Sequence, residues 1–171
     1  MERLYTPAIL DIEASGFGKG SYPIEIGVAA ETGEVYSWLV LPEQDWTHWR
    51  EEAASLHLIT REQLQSEGVR PNFIADELNA LFEGQTLYSD GWGFDSGWLS
   101  LLFYVARKSM LFRLDTLPKI LSDDQLAHWD KTKARLSQKN NWEHHRAGID
   151  AHLLQLTYKE TAIDEQLRKA Q

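Results

Sequence analysis

The chain has 171 residues, with 17 Lys plus Arg against 26 Asp plus Glu, a formal charge of −9, 43% hydrophobic residues and no cysteine. That length fits one domain over residues 1–171, and zero cysteine excludes a disulfide scaffold, a thiolate zinc site and cysteine nucleophiles. The start, Met-Glu-Arg-Leu-Tyr-Thr-Pro, lacks the basic stretch and apolar core of a signal peptide, and no apolar run approaches the ~20 residues that span a bilayer. The expectation is a cytoplasmic globular protein without membrane contact.

Residues 5–13, 22–30 and 34–41 are short, rich in β-branched or aromatic residues, and bounded by Gly, Pro and acidic turns. They predict three strands joined by short turns, hence antiparallel neighbours. The period changes after residue 47, with a short helix predicted over 48–57. Thr60-Arg-Glu-Gln63 has a capping-box pattern that starts another. Pro71 opens a third helix with Phe73, Ile74, Leu78, Leu81 and Phe82 on one side, closed by Gly84. Residues 85–89 predict a short strand. Phe94, Trp98, Leu101, Leu102 and Val105 then form a helical stripe. Leu111–Leu114 predicts a fifth strand, followed by a short helical piece near 116–121, a longer helix after the Ser122-Asp-Asp-Gln125 capping box, and a third over 147–160. Antiparallel strands followed by helix crossovers predict an α/β fold, a mixed sheet with helices on its faces.

Asp11 and Glu13 stand two apart near the end of the first strand. Residues i and i+2 of a strand point to one face about 6 to 7 Å apart, so the two carboxylates share a patch. Side by side they repel and raise each other's pKa unless a cation lies between them. Oxygen ligands at this spacing suit magnesium or manganese better than zinc; the plain alternative is a strand end entering a solvated turn. Asp95 opens the striped helix after the fourth strand, where ligands collect in open α/β sheets, with a first-turn cap as its other reading and Asp90 as competitor. Asp150 lies at the start of the late helix beside Ala147, Ala151 and Leu154, and a carboxylate so near a buried face needs a partner.

His145 precedes Asp150 by five residues, too far around a continuous helix for the two to converge. His145 is therefore expected on the loop entering that helix, with a pKa suited to general-base work; adjacent His144 is the competing choice. Upstream, Lys131, Lys133, Arg135, Lys139 and Arg146 stand against Glu143 alone, beside Trp129 and Trp142, as either a phosphate-facing strip or a solvated helix face. Gly18-Lys19-Gly20-Ser21 imitates a P-loop, but Gly20 interrupts the Gly-Lys-Ser order and no helix clearly follows, so nucleotide triphosphatase activity is rejected. Trp46 and Trp49 are candidates for base stacking or for plain packing.

Asp11-Ile-Glu13-Ala-Ser-Gly, Gly93-Phe-Asp95-Ser-Gly-Trp-Leu99 and His145-Arg-Ala-Gly-Ile-Asp150-Ala, in that order, resemble the three signature motifs of the DEDDh exonucleases. That family includes polymerase proofreading exonucleases, ribonuclease T and oligoribonuclease. Tyr22-Pro-Ile-Glu-Ile-Gly, His57-Leu-Ile-Thr60-Arg-Glu-Gln-Leu64 and Asp115-Thr-Leu echo it further, so the resemblance covers nearly the whole chain. It implies a ribonuclease H-like fold with a mixed five-stranded sheet and helices on both faces. It also implies hydrolysis of 3′-terminal phosphodiesters by two divalent cations, Mg2+ or Mn2+.

Carried over residue by residue, Asp11, Glu13 and Asp150 would hold the nucleophile-side ion. Asp11 and Asp95 would hold the leaving-group-side ion, and His145 would deprotonate the attacking water. Contacts to the terminal nucleotide are implied at Ala14, Ser15, His57 and Trp92. Two departures concern substrate rather than ions: Ala14-Ser15-Gly16 stands where the family often has Thr-Thr-Gly, and Asp90-Gly91 where it often has His-Asn. The front third carries 10 of the 26 acids against 3 basic residues, which argues against long-duplex binding and for a small footprint on the 3′ end of a single strand or short oligonucleotide. The contrasting reading is a catalytically inactive nucleic-acid or protein-interaction module on the same fold. DNA against RNA is not decided by the sequence, and a homodimer is compatible with it but not derivable from it.

Overall fold

The alternation in the first strand decides how the two faces of the sheet are used. In β1 (Ala8–Ala14), Ala8, Leu10 and Ile12 enter one apolar core with Ile26, Leu78 and Leu102, while Ile9 enters a second with Ala29, Ala151 and Leu154. Successive side chains alternate, so Asp11 and Glu13 continue the Ile9 side. The computed structural model describes residues 5–142 and 145–170 and lays the last helix over that side.

β1 pairs antiparallel with β2 (Pro23–Ala29), and β2 with β3 (Val35–Leu39). On the other side β4 (Thr86–Ser89) and β5 (Arg113–Thr116) add in parallel, giving the order β3-β2-β1-β4-β5. Parallel neighbours need crossovers. The chain supplies α1 (Glu51–His57), α2 (Arg61–Glu67) and α3 (Pro71–Phe82) before β4, and α4 (Trp92–Ala106) before β5. A 3-10 turn at Leu117–Ile120 leads into α5 (Asp123–Asn140) and α6 (Ala147–Lys169). Helices α3 and α4 cover the first core and α6 the second, so the mixed five-stranded sheet with helices on both faces forms as expected.

Local chemistry explains most boundaries. Thr60 Oγ1 accepts from Gln63 N at 3.0 Å, and Ser122 and Gln125 complete a reciprocal capping box. Three expectations shift. β5 begins at Arg113, two residues late, because Phe112 is buried against Phe82 and Phe103 before the ladder to β4 opens at Thr86. α6 runs nine residues beyond 160, and its added turns carry the Lys169–Glu165 and Arg168–Asp124 ion pairs. The stripe on α4 is rotated: Asp95, Leu99, Leu102, Phe103 and Ala106 are buried, while Phe94 is exposed and Trp98 half-buried. Among the described residues, no helix is long and apolar enough to cross a membrane.

The approach of α6 to the sheet rests on two glycines. A Cβ on Gly27 would lie 2.1 Å from the carbonyl carbon of Ala147 and 2.2 Å from Gly148 N, and one on Gly148 would lie 2.1 Å from Ser37 Oγ. At Gly27 backbone meets backbone, leaving no flexible side chain to yield, whereas Gly148 meets the side chains of Ser37 and Val35. Overpacking typically costs about 1–3 kcal/mol, and each kcal/mol moves a domain of this size by roughly 2–4 °C, so Gly27→Ala should lower the Tm by roughly 2–12 °C. A Tm equal to wild type in thermal unfolding would show that α6 does not sit this close.

Candidate active site

Three chain segments converge at the carboxyl end of β1. The β1–β2 register sets Asp11 opposite Gly27 and Glu13 opposite Glu25, so the space above Asp11 is free of any strand side chain and α6 enters it. Asp150, in the first turn of α6, meets Glu13 there. Glu13, Asp150 and His145 each bring a potential ligand atom within 4.8 Å of the others. Asp95, in the first turn of α4, is 3% exposed, and the Ser89 hydroxyl donates to its Oδ2 at 2.5 Å. That hydroxyl in turn accepts from Gly91 N at 3.1 Å, which fixes Asp95 from the end of β4.

His145 stands on the loop two residues before α6, as its distance from Asp150 in sequence requires. Its side chain is exposed and its Nδ1 lies 3.6 Å from Asp150 Oδ2, while its backbone N–H donates to Leu56 O at 3.3 Å. His144, the competing base, and Glu143 lie outside the described residues.

The acids disturb one another strongly. Burial, then the charges of Asp95, Glu13 and Asp150, hold the Asp11 carboxyl well above its usual range. Glu13 is pushed to about 8 by burial first and then by Asp150 and Glu25. Asp95 rises to about 7 through burial, against the opposing Ser89 hydrogen bond, and burial raises Asp150 despite His145. Crowded, partly desolvated carboxylates with an imidazole beside them form a hard, oxygen-dominated donor set. Divalent magnesium or manganese fits it, because a cation between the acids reverses the repulsion that raises them.

These residues open onto a cleft of about 1020 Å³. Ala14 and His57, both expected to face substrate, line it. His57 is 2% exposed; its Nδ1 accepts from Ile59 N at 3.0 Å, which places the proton of the neutral ring on Nε2, and burial keeps the ring neutral. Nε2 is buried and has no hydrogen-bond partner among the described residues. Ser15 and Trp92 are not brought to the cleft. Ser15 Oγ accepts from Tyr22 N and bonds His48 Nδ1 at 2.9 Å, and Trp92 Nε1 donates to Leu114 O at 3.2 Å on β5.

Trp46 stacks on Tyr22, and Trp49 packs edge-on to His57 under Arg61, so neither lines this cleft. Gly18 and Gly20 form the β1–β2 turn with positive φ, and a strand follows, consistent with rejecting a P-loop. The basic strip disperses: Arg135 pairs with Glu160, Arg146 with Glu25, and Lys133 lines the cleft within 3.8 Å of Asp90.

Sequence reasoning missed Phe17, Phe94 and Trp98 as cleft residues. The signal for Phe94 and Trp98 is two aromatics at i and i+4 on the helix that carries Asp95, which the stripe groups with Leu101, Leu102 and Val105. It also gave no role to Ser89, whose hydroxyl holds Asp95, and left Glu25 and Arg146 as a strand echo and one charge of a strip.

Stability without metal should depend on pH in a stated direction. The folded-state values of Glu13 and Asp95 lie above their unfolded ones, so between about pH 4 and 8 the native state binds more protons than the unfolded chain. The stabilising contribution is complete below the unfolded values and is lost as pH rises through about 7 and 8. Thermal unfolding in a chelator should therefore give a lower Tm at pH 8 than at pH 5.5; a flat or rising profile would contradict the crowding.

No protein-family model matches the sequence, and no curated protein matches it. Solved structures do match in shape. E. coli exonuclease I in complex with a 5cy-dT13 oligonucleotide superposes with a TM-score of 0.68 at 15% identity, over 97% of this chain and 42% of that one. The zinc ion bound form of the E. coli exonuclease I–ssDNA complex gives 0.67 at 15% identity, over 91% and 40%. Exonuclease I from Methylocaldum szegediense gives 0.65 at 14% identity, over 91% and 40%. The chain thus spans less than half the length of these proteins, and what it shares with them is the ribonuclease H-like exonuclease fold.

Proposed function

We propose that this chain is a metal-dependent 3′-to-5′ exonuclease of the DEDDh type acting on single-stranded or short nucleic acid. The observation that carries the reading is the gathering of Asp11, Glu13, Asp95 and Asp150, with His145, at one end of a cleft in the exonuclease I fold. In this reading Asp11, Glu13 and Asp150 would hold one Mg2+ or Mn2+ and Asp11 with Asp95 the other, and the bound ions would supply charge stabilisation for the attacking and departing oxygens. The His145 imidazole takes a proton from the attacking water, whose oxygen bonds to phosphorus as the bond to the 3′ oxygen of the penultimate nucleotide breaks, and that oxygen takes a proton from solvent to become the new 3′-hydroxyl. The product is a nucleoside 5′-monophosphate.

The cleft supports a single-stranded end. Phe17 and Phe94 are 65% and 58% exposed with ring centroids 4.8 Å apart, and Trp98 lies beside both. Large aromatic faces left open beside a cleft suit stacking on unpaired bases of any sequence. Trp98 Nε1 donates to Ser21 Oγ at 3.0 Å and ties the β1–β2 turn, with Phe17 on it, to α4.

End-labelled DNA and RNA oligonucleotides test the reading. With Mn2+ or Mg2+ the protein should release mononucleotides stepwise from the 3′ end, and chelation should stop it. His145→Ala should lower turnover by roughly 10²- to 10⁴-fold, with partial recovery at high pH as hydroxide replaces the missing base. Absence of release from every substrate with either metal would rule out the enzyme.

A further inference from the structure

Glu25 is a fifth carboxylate on the face that carries Glu13, directly opposite it across the β1–β2 ladder and 1% exposed. A charge so deeply buried needs compensation, and both of its oxygens are occupied. Arg146 Nε donates to Oε1 at 3.1 Å and Oε2 at 3.0 Å, Arg146 Nη2 donates to Oε2 at 2.5 Å, and Ala147 N donates to Oε1 at 2.7 Å. Every donor comes from the two residues that follow His145. Glu25 is therefore not available as a ligand; its partners are the start of α6.

That helix has no side-chain cap of its own. The first N–H of α6 is instead satisfied by a carboxylate from the neighbouring strand, where negative charge also suits the helix dipole. Asp150 follows one turn later, its N–H bonded to Arg146 O at 2.9 Å. His145 precedes Arg146 directly. Its ring is exposed and, among the described residues, makes one polar approach, to Asp150, so the backbone decides where the imidazole stands. The backbone has two holds there: Leu56 O on His145 N–H, and the grip of Arg146 on Glu25.

We infer that the Glu25–Arg146 pair is a positioning device: it fixes the start of α6 and thereby where His145 and Asp150 stand relative to Glu13. The planar fork of Arg146 matters as much as its charge, since Nε and Nη2 engage a carboxylate together in a way an ammonium cannot reproduce. The kinetic part of this inference rests on the exonuclease reading; the metal-binding part does not. A pair that merely stabilised the fold would shift the Tm without any selective effect on the site.

The test compares wild type, Arg146→Lys and Arg146→Ala in thermal unfolding with and without Mn2+ and in oligonucleotide hydrolysis. Folded variants should lose roughly 10- to 100-fold in kcat, the usual penalty for removing a group that orients a metal ligand, with KM nearly unchanged. Millimolar guanidinium should restore turnover and the manganese-induced Tm shift to Arg146→Ala, and should do nothing for wild type or for Arg146→Lys, whose side chain blocks the vacated space. If Arg146→Ala does not fold, the loss of kcat and of the manganese shift in Arg146→Lys decides. Folded variants with wild-type kcat and a wild-type manganese shift would overturn the inference, as would a folded Arg146→Ala that guanidinium rescues in neither readout. A wild type that degrades no oligonucleotide speaks against the exonuclease reading instead, and positioning is then judged on the manganese shift alone. A wild type with no manganese shift overturns both.

Discussion

Everything at the end of β1 follows from one electrostatic constraint: more carboxylates share a small, partly buried space than water-poor surroundings tolerate. The fold answers the problem in two ways. Glu25 is paired from within the chain, by the Arg146 fork and the first N–H of α6. Asp11, Glu13, Asp95 and Asp150 are not, and burial raises all four. A buried group left so far from its ordinary titration range costs stability, and sites of catalysis or ion binding are where such a cost persists. Glu25, whose charge meets a guanidinium within the chain, thus differs from the four acids whose titration burial raises.

The backbone serves the same arrangement. Gly27 removes the side chain that would stand opposite Asp11, which lets α6 lie directly against β2 and carries Asp150 to Glu13. Ser89 at the end of β4 performs the matching task for Asp95. Acids from β1, α4 and α6 are thus set by contacts that lie behind them, on the sheet side, and the front of the cleft stays open for a ligand. The aromatic edge made by Phe17, Phe94 and Trp98 lies on that open side. A cleft floor of negative charge with apolar and donor groups around it takes a phosphate-bearing ligand only when cations accompany it.

Much of this was legible in the sequence because the signals were local. The period-2 strands, the capping boxes at Thr60 and Ser122, and Pro71 at a helix start each depend on neighbours a few residues away, and each placed its element. Asp11 and Glu13 announced a shared face by spacing alone, and the gap from His145 to Asp150 required a loop before the helix. What escaped notice depended on long-range packing. Periodicity on α4 reports which residues share a face and not what covers that face; Phe94 and Trp98 turn toward the cleft while Asp95, a charged residue, is buried. Trp92 and Ser15 sit beside motif positions, yet their hydrogen bonds to Leu114 and His48 turn them elsewhere. The basic strip at 131–146 dissolved for the same reason, Lys133, Arg135 and Arg146 each finding an acid elsewhere in the chain.

The most direct test of the account is a calorimetric titration of the chelator-stripped protein with Mn2+ at pH 7, repeated in buffers of different ionisation enthalpy. Glu13 and Asp95 titrate at about 8 and about 7 in the metal-free fold, so both hold protons for much of the time at that pH. Ligation requires the ionised form, so binding should be accompanied by net release of protons into the buffer. Binding with proton release, absent in Asp11→Asn, is the result the account predicts. No binding, or binding that exchanges no protons, would contradict it.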